Sequence, residues 1–313
     1  MTLNEYGHTP VLLDEVLNGL KLRPDGFYVD CTFGRGGHSK AILESLGSHG
    51  RLLVFDKDPE AIISAQNRFA SDRRVTCVRG TYTALVNEVG KLGMLAGVDG
   101  VVFDLGVSSP QLDDPEHGFS FLRDGDLDMR MDPDSGMSAA EWINQAGQRE
   151  IAGVLRMYGE ERYSRRIAAA IVKARAESPL TRTARLARII AGAVPSRERK
   201  KDPATRSFQA IRIYINNEIE ELRTVLKQVK DVLRPGGRLL VISFHSLEDR
   251  IVKRFMQEGA LGDRYPPDLP VTVDELMPDL RIIGKAIKPS KEEIERNPRA
   301  RSAVLRIAEK IAA

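Results

Sequence analysis

The stretch that decides the fold is Val29-Asp30-Cys31-Thr32-Phe33-Gly34-Arg35-Gly36-Gly37-His38, with Asp56 following at the end of Arg51-Leu52-Leu53-Val54-Phe55-Asp56. A short apolar run breaks into a glycine cluster and then into a helical pattern from Ser39 to Leu46. Glycines suit such a turn, because the backbone must bend sharply and approach a ligand with no Cβ in the way. The following helix aims its free N–H groups at the same point. A carboxylate at the end of the next strand can accept from both hydroxyls of a ribose. Strand, turn, helix, strand and acid together predict a nucleoside-binding site rather than a bare connection.

Outward from that stretch, strands and helices alternate. Strands are expected over 27–32, 51–56, 75–79 and 101–105, with helices over 59–70 and 84–92. Thr9-Pro10 reads as a helix start with proline at the first helical position. Continuous apolar strands separated by helices predict a parallel sheet covered on both faces. The alternation stops after Asp104. Residues 112–206 contain no convincing strand, and amphipathic helices are expected over 138–145, 148–158 and 163–177. A long helix from about Arg206 to Leu233, ended by Pro235-Gly236-Gly237, leads back to strands at 238–244, 280–283 and 302–308. The predicted fold class is α/β, a Rossmann-like sheet with an inserted helical domain. Its catalytic domain is expected over 1–111 and 207–313, with the insertion over 112–206 meeting the substrate.

The bulk properties agree. The 313 residues are 42% hydrophobic and 29% charged, enough to bury a substantial core and too apolar for a disordered chain. A net charge of +3 does not force adhesion to nucleic acid, so an anionic partner must meet a local patch. Cys31 and Cys77 can build neither a disulfide framework nor a zinc site. No apolar run reaches the roughly 20 residues that span a bilayer, and the first residues do not resemble a leader. A cytoplasmic protein is expected.

Dehydrogenases share this layout, so the choice of nucleotide needs a further argument. Asp30 would repel a pyrophosphate but attract an ammonium group such as that of a methionine moiety, which favours S-adenosylmethionine over NAD. Tyr82, after the third strand, stands either at the adenine or in the core. The fourth strand runs into Asp104-Leu105-Gly106-Val107-Ser108-Ser109-Pro110-Gln111-Leu112, small, polar and turn-forming. Such a segment suits methyl transfer to an exocyclic amine. The lone pair of that nitrogen is delocalised into the ring, and acceptors aimed at its N–H bonds turn it toward the sulfonium methyl. Asp104, Ser108, Ser109 and Pro110 are the catalytic candidates. A dehydrogenase and a non-catalytic assembly factor are the competing classes. The polar segment weighs against the first, and an intact Asp104 and glycine turn against the second.

Five segments make the resemblance specific: 8–13, 30–39, 103–112, 118–121 with 127–132, and Ser243-Phe244-His245-Ser246-Leu247-Glu248-Asp249-Arg250. In this order they resemble the bacterial small-subunit ribosomal RNA cytidine N4-methyltransferase family (RsmH/MraW). The resemblance implies a methyl donor held by Gly36, Gly37, His38, Asp56, Asp104 and Gln111, with Gly34 and Asp30 in the same turn and an aromatic ring matching Tyr82. It also implies the acceptor: N4 of one cytidine in the decoding region of 16S rRNA, within a small ribosomal subunit. A flipped base needs a stacking ring, and Phe119, Phe121, Tyr214 and Phe244 are the candidates.

For RNA contact the densest basic stretch is Arg197-Glu198-Arg199-Lys200-Lys201, continued by Arg206, Phe208 and Arg212. Arg162, Arg165 and Arg166 read mainly as a solvated helix face. His245 is open between a general base or base-edge contact and a buried histidine bonded to backbone. The acidic loop Asp124, Asp126, Asp128, Asp132 and Asp134 lacks the glycine and spaced glutamate of a calcium loop, so no metal is expected. Trp142 reads as core. The oligomeric state, a homodimer included, stays open.

Overall fold

The computed structural model describes residues 10–195, 202–262 and 277–312. It divides into two compact units, residues 1–106 with 220–313 and residues 107–219. The first unit is built on seven strands: β1 (Phe27–Asp30), β2 (Arg51–Asp56), β3 (Val75–Arg79), β4 (Val98–Asp104), β5 (Leu233–Ser243), β6 (Leu280–Ile282) and β7 (Val304–Lys310). Their order is β3-β2-β1-β4-β5-β7-β6. Strands β1 to β5 run parallel, while β7 is antiparallel to both β5 and β6. The winding reverses between β1 and β4, which puts the carboxyl ends of those two strands at a ligand crevice.

The strands are apolar at successive residues because both faces are covered. Leu53, Phe55, Val101, Phe103, Leu239 and Val241 share one buried cluster, and their neighbours Leu52, Val54, Val102, Leu240 and Ile242 share the other. This is the period of two expected of strands, with both phases hydrophobic. The helices of this unit are α1 (Leu13–Leu20), α2 (Gly37–Glu44), α3 (Pro59–Arg68) and α4 (Leu85–Lys91). Helix α3 shows the local logic: Pro59 opens it and the Asp58 carboxylate accepts from the Glu60 N–H at 2.8 Å.

The second unit contains α5 (Ser109–Asp113), α6 (Ala139–Gln145), α7 (Gln148–Gly159), α8 (Ser164–Glu177), α9 (Thr183–Ala193) and α10 (Thr205–Ile215). Its core gathers Trp142, Ile151, Leu155, Ile167, Ile171, Leu186, Ile190 and Phe208. Trp142 is 4% exposed and donates to Glu150 Oε1 at 2.8 Å, so the core reading holds. Helices α11 (Glu218–Val232), α12 (Ser246–Leu261) and α13 (Lys291–Arg296) complete the chain.

Four features differ from the sequence reading. Pro10 precedes α1 instead of opening it, because Leu12 takes a left-handed conformation (φ 54°) and the helix begins at Leu13. The long helix over 206–233 is two helices, broken where Asn217 is left-handed (φ 54°) and Asn216 turns its amide onto the Met129 carbonyl at 2.7 Å. Pro235-Gly236-Gly237 lies within β5, at the register shift opposite Val98 and Gly100, and not at the helix end. The helical unit spans 107–219 where the sequence suggested 112–206, since α10 packs in its core through Phe208, Ala210 and Ile211.

Candidate active site

The carboxyl ends of β1, β2, β4 and β5 converge in the first unit. Gly34 and Gly36 take positive φ values of 54° and 69°, where a side chain is strained, and Gly36 is the residue before α2. Gly37 is glycine for another reason. A Cβ there would lie 2.1 Å from Pro10 Cγ, so the turn is closed from behind by the segment before α1. The Arg68 guanidinium donates to the Arg35 carbonyl at 2.7 Å and holds the tip of the turn.

Asp56 is half-buried. Its Oδ2 accepts from the Gly34 N–H at 2.7 Å and its Oδ1 from the Asp58 N–H at 2.9 Å. Burial pushes its carboxyl up to about 6 despite those two bonds. Each oxygen keeps a second lone pair, so the position expected to meet a ribose retains acceptor capacity.

Asp30 departs from its expected contact with an ammonium group. It is 1% exposed; Oδ1 accepts from the Thr32 N–H at 3.1 Å and Oδ2 from the Ser39 hydroxyl at 2.6 Å. Burial raises its pKa, and its work is to pin the two ends of the turn from beneath.

Asp104 ends β4 with its side chain 27% exposed. Its N–H donates to Thr32 Oγ1 at 2.6 Å, which ties it to the glycine turn. Its Oδ2 lies 3.8 Å from His38 Nδ1, and its Oδ1 is buried with no hydrogen-bond partner among the described residues. An unsatisfied buried oxygen costs free energy and calls for a functional reason. Burial pushes this carboxyl up to about 6; His38 opposes the rise, while the charges of Asp30 and Glu248 add to it. His38 is 6% exposed and donates from Nε2 to the Val11 carbonyl at 2.9 Å, which turns its other ring nitrogen toward Asp104.

The remaining candidates fall as follows. Tyr82 is half-buried, edge-on to Phe103 with ring centroids 5.5 Å apart. In the second unit Ser108 precedes α5, Ser109 and Pro110 open it, and Gln111 is buried with Oε1 accepting from the Ser108 N–H at 2.9 Å. His245 precedes α12. Its Nδ1 accepts weakly from the Glu248 N–H at 3.4 Å, and its Nε2 is 3.0 Å from Glu248 Oε1 without the alignment of a hydrogen bond.

The expected RNA ligands scatter. Arg197, Arg199, Lys200 and Lys201 lie outside the described residues. Arg206 is exposed. Phe208 is 3% exposed and edge-on to Phe121 at 4.8 Å, so its ring serves the core and is not open to stack on a base. Arg212 holds Glu218 through two bonds of 2.8 Å, which engages its guanidinium inside the unit. Of the candidate stacking rings, Phe119 is buried, Phe121 and Phe244 are half-buried, and Tyr214 is 37% exposed. In the acidic loop Asp124 and Asp126 pair with Arg182 and Asp128 with Arg130. Among the described residues no group of acids, histidines and cysteines could hold a metal ion, and no helix is long and apolar enough to cross a membrane.

Sequence reasoning passed over Thr32, Ser39 and Glu248. The first two sit inside the glycine motif and bond to Asp104 and Asp30. Glu248 is 2% exposed and accepts from the Phe244 N–H at 3.0 Å. Nothing in their spacing announces those partners.

A glycine turn at a topological switch point, an acid at the end of the next strand and a carboxylate oxygen unsatisfied among the described residues match a nucleoside-cofactor enzyme of the doubly wound α/β class. The chain belongs to the MraW methylase family, whose model matches residues 5–311. It is a methyltransferase, and its methyl donor is S-adenosylmethionine. The residues fit that donor: a cation bearing a nucleoside suits a sheet edge with a carboxylate oxygen that has no partner among the described residues and a second acid with spare lone pairs. Among solved structures, the chain is similar to an rRNA methylase from Streptococcus thermophilus (10% identity, 95% of each chain, TM-score 0.44). It is also similar to a protein of Streptococcus mutans described as a methyltransferase and crystallised with SAH (11% identity, 97% of this chain and 100% of that one, TM-score 0.44). Both likenesses are distant, and the fold assignment rests on the sheet itself.

Proposed function

We propose that the chain methylates N4 of a cytidine in the decoding region of 16S rRNA, acting on the small ribosomal subunit. The single observation that carries the methyl-transfer chemistry is Asp104 Oδ1, a buried acceptor at the end of a central strand with no partner among the described residues. The cytidine and its place in the ribosome rest on the family resemblance of the five sequence segments. S-adenosylmethionine supplies an electrophilic methyl on a sulfonium.

Asp104 accepts an N–H of the amine, which localises the nitrogen lone pair. Thr32 holds the Asp104 backbone and the buried His38 ring lies beside its second oxygen, so the carboxylate is placed before substrate arrives. Gly34, Gly36 and Gly37 shape the donor cradle, Asp56 takes the ribose, and Asp30 fixes the turn. Tyr82 borders the adenine. Ser108, Ser109, Pro110 and Gln111 are assigned to the amine and donor on their place in the sequence directly after Asp104. The helical unit is assigned to RNA, with Arg197, Arg199, Lys200, Lys201 and Arg206 at the phosphates. Phe208 and Arg212 are assigned to support that surface from within, and His245 borders the base.

With the carboxyl of the donor-free protein pushed up to about 6, the ionised form predominates above that pH, and kcat/KM, which reports the free enzyme, should rise through about pH 6 and level off. The deciding experiment is mass mapping of 16S rRNA from cells lacking the chain, complemented by wild type or by Asp104→Ala. One cytidine should lose a methyl group and regain it only with wild type. An unchanged map, or full rescue by the variant, overturns the reading.

A further inference from the structure

We propose that residues 284–302 form a basic rim on the catalytic edge of the sheet and hold the phosphate backbone of the RNA next to the target nucleotide. The inference rests on the RNA substrate proposed above and adds a surface that the basic stretch at 197–212 does not include.

Register fixes the placement. Asp104 pairs with Ile242 in the parallel β4–β5 ladder, and Ile242 and Ser243 pair with Leu305 and Val304 in the antiparallel β5–β7 ladder. The carboxyl ends of β4 and β5 therefore share an edge with the amino end of β7. The 3-10 turn Pro298–Ser302 runs into β7 there, and Ile287 bridges to Leu305 at the same level. Two strand spacings separate β4 from β7, about 10 Å. A few nucleotides of single strand cover that distance.

Charge fixes the partner. The stretch has six basic residues against three acids, a net of +3 that equals the net charge of the whole chain. Lys285, Lys288, Lys291 and Arg301 are all exposed, and none forms an ion pair among the described residues. Of the acids, Glu292 and Glu295 are exposed, whereas Glu293 is turned inward, accepting from the Leu12 N–H at 2.8 Å. The neighbouring cation Arg306 is spent on Asp249, and at the opposite end of β5 and β7 Arg238 and Arg281 are spent on Glu309. Between its pairings with Ile307 and Leu305 the chain bulges outward through Gly284, which takes a φ of 67°, and Lys285 follows directly. Four exposed, unspent cations on the edge that bears the catalytic acid match a polyanion running past the site.

The test compares wild type with the variant K285A/K288A/K291A/R301A and with the charge-keeping variant K285R/K288R/K291R/R301K. Binding to undermethylated small subunits is titrated across a potassium chloride series, with S-adenosylmethionine affinity measured in parallel. The alanine variant should bind at least tenfold more weakly. Its log K against log salt line should be flatter by roughly 0.7–0.9 for each phosphate no longer neutralised. The charge-keeping variant should match wild type, and donor affinity should be equal in all three. An unchanged salt slope in the alanine variant overturns the rim. So does unchanged binding accompanied by aggregation, since lysines on a sheet edge also serve to block edge pairing. If wild type instead prefers another RNA and the alanine variant loses that binding, the rim stands and the ribosomal reading falls. If wild type binds no RNA, both fall.

Discussion

Asp104→Asn should stabilise the free protein while abolishing its chemistry, and the gain should depend on pH. A carboxyl whose folded pKa is raised contributes no penalty while it is protonated in both states. As pH rises past the unfolded value of 3.8, the unfolded chain ionises freely and the folded one does not, so stability falls until the folded pKa is passed. With the folded value at about 6, the loss is about 3 kcal/mol at 1.36 kcal/mol for each pKa unit, complete above pH 7. That figure is a ceiling, because the side chain is 27% exposed and water screens its outer oxygen. Asparagine keeps the shape and removes the ionisation. The variant should match wild type near pH 4 and exceed it by up to about 3 kcal/mol at pH 7.5. At roughly 2–4 °C for each kcal/mol in a domain of this size, the melting temperature should rise by several degrees. The assay is urea unfolding of the donor-free protein followed by far-ultraviolet circular dichroism, with both chains at each pH so that other carboxylates cancel. Tryptophan fluorescence is the wrong probe, since Trp142 lies in the helical unit. A difference that is constant from pH 4 to 7.5, or a variant less stable at pH 7.5, would rule out a buried, ionised Asp104 as a source of instability. Methyl transfer by the same variant should fall at least a hundredfold, the expected trade between a strained site and stability.

Two further substitutions separate shape from chemistry. Gly37→Ala should weaken donor binding and destabilise the first unit by about 1–3 kcal/mol, because its Cβ meets Pro10 Cγ at 2.1 Å; unaltered donor affinity by calorimetry would count against the closed turn. Phe208→Ala should cost about 3–5 kcal/mol through loss of core packing, read by Trp142 fluorescence during unfolding, and a variant of normal stability with impaired RNA binding alone would return that ring to the interface.

The sheet was legible because its strands are hydrophobic in both phases over β1, β2, β4 and β5, the pattern of strands covered on both faces. The helical unit was legible as an absence of strands. Its limits were not, since α10 carries Phe208 and Ala210 into that core by packing that no local signal announces. The break at Asn216 and Asn217 escaped for a similar reason: both residues continue a helical pattern locally, and only the Met129 carbonyl, far away in sequence, makes the break favourable.

By itself the sequence determined the class of site: glycines where the backbone must take positive φ, an acid at the end of each of three strands, and a polar segment after the fourth. These depend on local backbone geometry and residue chemistry, which composition and spacing carry. Tertiary structure alone decided how those acids divide their work. Asp30, Asp56 and Asp104 are the same residue type at the ends of neighbouring strands, yet Asp30 is sealed beneath the turn and Asp56 is bonded to two backbone amides. Asp104 is left with an oxygen that nothing among the described residues satisfies. Burial and hydrogen-bond partners set that division, and both depend on which distant segments pack together.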